Sequence, residues 1–132
     1  MNAGRILIVD DNPTNLKLAS DVLECAGFEV LLAEDAEKAL AFIQRARPDL
    51  VLMDIALPGM DGLTLTRRLK IDSATKDIRI IALTAFAMKG EEGKVREAGC
   101  DGYIAKPIDT RRFLEDVRAF LQHPKITADS KN

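Results

Sequence analysis

Five short apolar runs recur along the chain: Ile6-Leu7-Ile8-Val9, Val30-Leu31-Leu32-Ala33, Leu50-Val51-Leu52-Met53, Ile80-Ile81-Ala82-Leu83 and Tyr103-Ile104-Ala105. They are continuous rather than alternating, as in strands buried on both faces of a parallel sheet. Helical patterns lie between them. Asn12-Pro13 offers an N-cap and a proline at the first helical position, Leu16, Ala19, Leu23 and Ala26 share one stripe, and Gly27 marks a stop. A second helix is expected from near Asp35, carrying Ala36, Leu40 and Ile43 inward and ending before Pro48. A third begins near Asp61-Gly62 with Leu65 and Leu69, and the last follows Asp109 with Phe113, Val117, Phe120 and Leu121 at helical spacing. The fourth, Lys89 to Ala98, is weaker: it contains Gly90 and Gly93, each costing about 1 kcal/mol relative to alanine, and its apolar stripe is thin, with Val95 and Ala98 the main candidates. Strand and helix alternating five times predict right-handed crossovers and a three-layer α/β fold.

Ligands of open parallel sheets bind beyond the carboxyl ends of the strands. Asp10 and Asp11 follow the first run, Asp54 the third, Thr84 the fourth and Lys106 the fifth. Polar groups therefore converge on one edge of the sheet. Crowded carboxylates repel unless a cation neutralises them, and an all-oxygen ligand set favours a hard ion such as Mg2+. The only histidine, His123, lies near the C-terminus. A carboxylate can attack phosphorus to form an acyl phosphate, while a lysine offsets the charge on the transferring group and a threonine hydroxyl donates to it. Each residue also has a plainer explanation. Asp10 or Asp11 could cap a helix, Asp54 could open the loop towards Pro58-Gly59, Thr84 could merely end a strand, Lys106 could be a surface charge and Tyr103 a packing residue. Only their convergence makes the chemical reading the stronger one.

Composition narrows the classes. The 132 residues suit one domain, 1–122, followed by a polar tail, 123–132, that lacks periodicity and is expected to be flexible. A formal charge of −2 gives no reason to expect nucleic acid or an anionic membrane as a partner. No apolar stretch approaches the roughly 20 residues that span a bilayer. Cys25 and Cys100 form no CxxC pair and are expected as core or boundary thiols of a reduced, cytoplasmic protein.

Ile8-Val9-Asp10-Asp11-Asn12, Leu52-Met53-Asp54-Ile55, Leu57-Pro58-Gly59-Met60-Asp61-Gly62, Ala82-Leu83-Thr84-Ala85 and Lys106-Pro107 together resemble the receiver domain of two-component response regulators, related in fold to CheY. The resemblance covers about Arg5 to Leu121. The stretches Thr84 to Gly90 and Gly99 to Ile104 are similar to stand-alone regulators of the DivK type, which coordinate bacterial cell division and polarity; receivers within hybrid histidine kinases share parts of them. The resemblance implies a flavodoxin-like five-stranded sheet in order 2-1-3-4-5 flanked by five helices. It implies that Asp54 takes a phosphoryl group from phosphohistidine on a histidine kinase or phosphotransferase. Asp10, Asp11, Asp54 and the backbone carbonyl of Ala56 would hold Mg2+, with Mn2+ as the alternative ion. Thr84 and Lys106 would bind phosphoryl oxygens, Lys106-Pro107 would be cis, and Thr84 with Tyr103 would form the switch. The protein would then be a monomeric signalling phosphoacceptor, catalysing its own phosphorylation and dephosphorylation and not turning over a metabolite. Its donor would dock near Thr14, Asn15 and Leu18, and a downstream protein near Met88, Lys89, Tyr103 and Arg111. Ala56 and Phe86 are apolar where relatives often carry polar groups, which implies slow hydrolysis.

Rival readings fit less well. A haloacid-dehalogenase phosphatase needs Asp-x-Asp after the first strand, where this chain has adjacent aspartates. A nucleotide or flavin binder would show GxxxxGK[ST] or GxGxxG. A phosphorylation-independent binding module would have no need of the complete acceptor set.

Overall fold

The computed structural model describes residues 4–57, 59–84, 89–106 and 108–122, with the side chains of 89–92 excluded. The expectations for Phe86, Met88, the Lys89 side chain, Pro107 and the tail 123–132 lie outside these residues. Strands β1 (Arg5–Val9), β2 (Glu29–Ala33), β3 (Leu50–Asp54), β4 (Arg79–Thr84) and β5 (Gly102–Ala105) alternate with α1 (Pro13–Cys25), α2 (Ala36–Ala46), α3 (Gly62–Ile71), α4 (Lys89–Ala98) and α5 (Thr110–Gln122). All strand pairings are parallel, in order β2-β1-β3-β4-β5. This is the doubly wound arrangement that the strand-helix alternation and the resemblance predict.

Strand pleating divides the core in two. Ile6 and Ile8 of β1, Leu50 and Leu52 of β3, and Ile81 and Leu83 of β4 pack with Leu16, Ala19 and Leu23 of α1 and Phe113 and Val117 of α5. Leu7, Val9, Val51, Met53 and Ile80 take the other face, with Ala36, Ala39 and Ile43 of α2 and Leu65 and Leu69 of α3. Burial on both faces holds for β1, β3 and β4, but not for β2, whose Leu32 is 41% exposed, nor for β5, where Tyr103 and Ala105 are exposed. Both are edge strands, and neither is covered as completely as a central one.

The helix signals act as expected. Asn12 Oδ1 accepts the N–H groups of Thr14 and Asn15, Asp35 Oδ1 that of Lys38, Asp61 Oδ1 that of Thr64, and Asp109 Oδ1 that of Arg111. Such caps satisfy amides that have no partner within the helix. Helix α2 ends at Arg47, which adopts φ 42° immediately before Pro48. In α4, Val95 and Ala98 are both buried. The thiol expectation needs correction: Cys100 is partly buried, but Cys25 is exposed, because the last position of α1 lies off its buried stripe of Leu16, Ala19, Ser20 and Leu23.

At the end of the sheet where β4 and β5 begin, Lys70 Nζ lies 2.8 Å from Asp101 Oδ2 and 2.9 Å from the Ile78 carbonyl. The same Asp101 oxygen accepts the Ile80 N–H at 2.8 Å. This strap joins α3 to the starts of two strands.

At the opposite end α3 is pressed against β3. A methyl group at Gly62 would lie 2.3 Å from the Asp54 carbonyl oxygen and 2.9 Å from Ile55 Cα. Only a residue without a side chain allows that approach. Gly62→Ala is therefore expected to destabilise the domain by about 2 kcal/mol through forced displacement of α3, read as a lower midpoint in urea denaturation at unchanged slope.

Candidate functional site

The alternation that builds the core also aims the chemistry. Continuing 6, 8 along β1 leads to Asp10, continuing 50, 52 along β3 leads to Asp54, and the residue two after Ile104 is Lys106. All three extend beyond the apolar layer on the side of α1 and α5. Backbone hydrogen bonds hold the strand ends in place: Asp10 N–H donates to the Ala33 carbonyl, Ile55 N–H to Leu83, and Lys106 N–H to Thr84 at 2.7 Å. Asp10 is fully buried, and Asp54 and Thr84 are each 3% exposed, whereas Asp11 is open to solvent.

Lys106 Nζ lies 3.1 Å from Asp10 Oδ2 and 3.0 Å from Asp54 Oδ2. One ammonium is thus shared by two buried carboxylates. Asp54 Oδ1 accepts the Ala56 N–H at 2.9 Å. Asp10 Oδ1 accepts the Asn12 N–H at 2.9 Å, and Asp10 Oδ2 takes the Asn15 side-chain amide at 3.3 Å. Burial pushes the Asp54 carboxyl above its ordinary pKa; the Ala56 N–H and Lys106 oppose the shift without cancelling it. Burial pulls the Lys106 ammonium down, but its hydrogen bonds to Asp54 and Asp10 outweigh this and hold its pKa above that of an ordinary lysine.

Carboxylate oxygens of Asp10, Asp11 and Asp54 all lie within 4.8 Å of one another. Two unit charges at that separation repel by roughly 3 kcal/mol in a medium of intermediate dielectric. Among the described residues, three formal negative charges face one ammonium, so the cluster retains an excess that a divalent cation would neutralise. The donor set is all oxygen, and one ligand, Asp11, faces water; both features suit a hard, partly hydrated ion such as Mg2+. The residues fit the ion.

The structure brings Asp10, Asp11, Asp54 and Lys106 together, ties Lys106 to Thr84 through the backbone, and leaves Tyr103 exposed on β5. Two contacts were not foreseen in the sequence: the Ala56 N–H on Asp54 and the Asn15 amide on Asp10. The signal for the second was available, since Asn15 occupies the third position of a helix whose cap is plain.

The model of the response regulator receiver domain family matches residues 6–118. The chain is a response regulator receiver domain. It is 45% identical over 116 residues to the polar-differentiation response regulator DivK of Brucella anthropi, covering 88% of this chain and 94% of that one. Among solved structures, this receiver is similar to the chemotaxis response regulator CheY4 of Vibrio cholerae, with a TM-score of 0.83 and 29% identity over 87% of this chain and 96% of the other. It is also similar to the receiver domain of the sensor histidine kinase PA1611 of Pseudomonas aeruginosa, with a TM-score of 0.82 and 33% identity over 90% of this chain and 98% of the other. That structure has a magnesium ion coordinated in its active-site cleft. Among the described residues of this receiver, no helix is long and apolar enough to cross a membrane.

The shared ammonium makes a stability prediction. Lys106→Met removes the counter-charge between two buried carboxylates and, without added metal, should cost about 3 kcal/mol at neutral pH. The cost should shrink as pH falls, because Asp54, whose pKa is raised by burial, takes up a proton at milder acidity and no longer needs the cation. Urea denaturation in chelator at neutral and acid pH checks both the size and the direction.

Proposed function

We propose that this receiver is a phosphorylation switch in which Asp54 accepts a phosphoryl group from phosphohistidine of a histidine kinase or phosphotransferase. The observation that carries the reading is the buried Asp54 carboxylate, held by Lys106 beside two further carboxylates. An Asp54 oxygen attacks phosphorus, the phosphorus–nitrogen bond breaks, and the imidazole departs with its electron pair. The Ala56 N–H keeps the carboxylate oriented, and Lys106, already 3.0 Å from Asp54 Oδ2, moves its charge to the arriving phosphoryl oxygens. Thr84, buried at the end of β4, is assigned as the hydroxyl donor to the same group. Asp10, Asp11 and Asp54, with the Ala56 carbonyl, are the assigned ligands of Mg2+. When bound, the ion neutralises the excess negative charge of site and phosphoryl group.

The donor's surface is assigned to the start of α1, where Pro13, Thr14, Lys17, Leu18 and Asp21 line a shallow groove and Leu18 is 37% exposed. The output surface is assigned around Tyr103 and Arg111, both exposed. Similarity to the polar-differentiation regulator supports a role in bacterial cell division and polarity, in the cytoplasm, through a downstream protein partner.

Incubation with acetyl phosphate and Mg2+, followed by intact mass, tests the central step. The expected result is a gain of one phosphoryl group, absent in Asp54→Ala and absent when the metal is chelated; a gain that persists in Asp54→Ala would place the acceptor elsewhere. Ala56 is exposed next to this site and presents only a methyl group where a polar side chain could orient attacking water. Ala56→Asn is therefore expected to shorten the lifetime of the phosphorylated protein several-fold, measured as the decay of the phosphorylated mass after removal of acetyl phosphate.

A further inference from the structure

We propose that Asn15 is a positioning residue for the divalent-ion site, its side-chain amide fixing the orientation of the Asp10 carboxylate. The inference rests on the reading of Asp10, Asp11 and Asp54 as the ion's ligands and goes beyond it in assigning a residue outside the cluster.

The geometry has three parts. Asn15 is the third residue of α1, and its own N–H is held by the Asn12 cap at 3.3 Å. The cap therefore sets where its side chain begins. Residues 11–14 are exposed, whereas Asn15 is partly buried. From there Nδ2 reaches Asp10 Oδ2 at 3.3 Å, while the Asn12 N–H holds Oδ1 at 2.9 Å. A single helix start thus grips both oxygens of one carboxylate and restrains its rotation. The amide oxygen in the same place would face a carboxylate, so the nitrogen is the atom that fits.

Lys106 also reaches Asp10 Oδ2, at 3.1 Å, but it is shared with Asp54. When its charge moves to a phosphoryl group, the Asn15 amide keeps Asp10 aimed. A neutral donor suits this task. Lysine or arginine at position 15 would repel the metal, and aspartate would add a fourth negative charge against Asp10. Donors that orient a metal's ligands typically change its affinity by about 10- to 100-fold when lost, and a bond as long as 3.3 Å belongs at the lower end.

Calorimetric titration with Mg2+ alone tests the inference without any phosphodonor. Asn15→Ala and the volume-keeping Asn15→Leu should each weaken Mg2+ binding by about tenfold. Asn15→Gln, which keeps the amide donor on a longer arm, should recover part of that loss. Equal Mg2+ affinity in Asn15→Ala and wild type would overturn the inference and leave Asn15 to donor docking alone. Equal weakening in the Gln and Leu variants would overturn it too, since the donor would then be irrelevant. Wild-type protein that binds no Mg2+ at all would overturn this inference together with the reading of the site, which distinguishes the two failures.

Discussion

A single ammonium between two buried carboxylates is the interaction on which the arrangement of this receiver depends. Asp10 and Asp54 sit where the apolar layer of the sheet ends, one fully buried and the other nearly so. Without a cation within hydrogen-bonding distance, burial of both would cost several kcal/mol. Lys106 supplies that cation from the residue just beyond β5, so the edge of the sheet is closed by electrostatics where its interior is closed by packing. Among the described residues the same arrangement leaves the site negative. A site short of positive charge but already ordered needs little rearrangement to receive a divalent cation.

The parity of the strands explains why these groups meet. A one-residue slip of β3 relative to β1 would send Asp54 to the opposite face, because successive side chains alternate across a sheet. The observed register pairs Ile6 with Leu50 and Val9 with Met53, so Asp10, just past β1, and Asp54, the last residue of β3, emerge together. Gly62 contributes from the other side by letting α3 lie directly on the backbone of Asp54. Packing, register and one missing side chain thus converge on the position of one carboxylate.

Much of this could be read before any coordinates. The apolar runs located all five strands to within a residue or two, and the caps at Asn12, Asp35, Asp61 and Asp109 marked helix starts because their side-chain oxygens have one evident task. Asp10, Asp11, Asp54 and Lys106 were legible because they follow those runs on the edge where ligands bind. Less legible was whatever depends on neighbours in space. Leu31 and Leu32 look like central-strand residues, yet β2 lies at an edge and leaves Leu32 uncovered. Cys25 resembles a boundary residue until its place at the end of α1 is seen. The Asn15 amide on Asp10 needed the turn of the helix to bring together residues five apart.

The two cysteines differ in a way that equips the protein with a built-in labelling point. Cys100 is partly buried, and burial pushes its thiol up to about 11, so little reactive thiolate forms at neutral pH. Cys25 is exposed at the far end of α1, a helix of 13 residues that starts beside the acidic cluster and so extends about 20 Å away from it. A maleimide fluorophore or spin probe attached there would report on the molecule from a distance without crowding the acidic cluster, and would need no engineered residue.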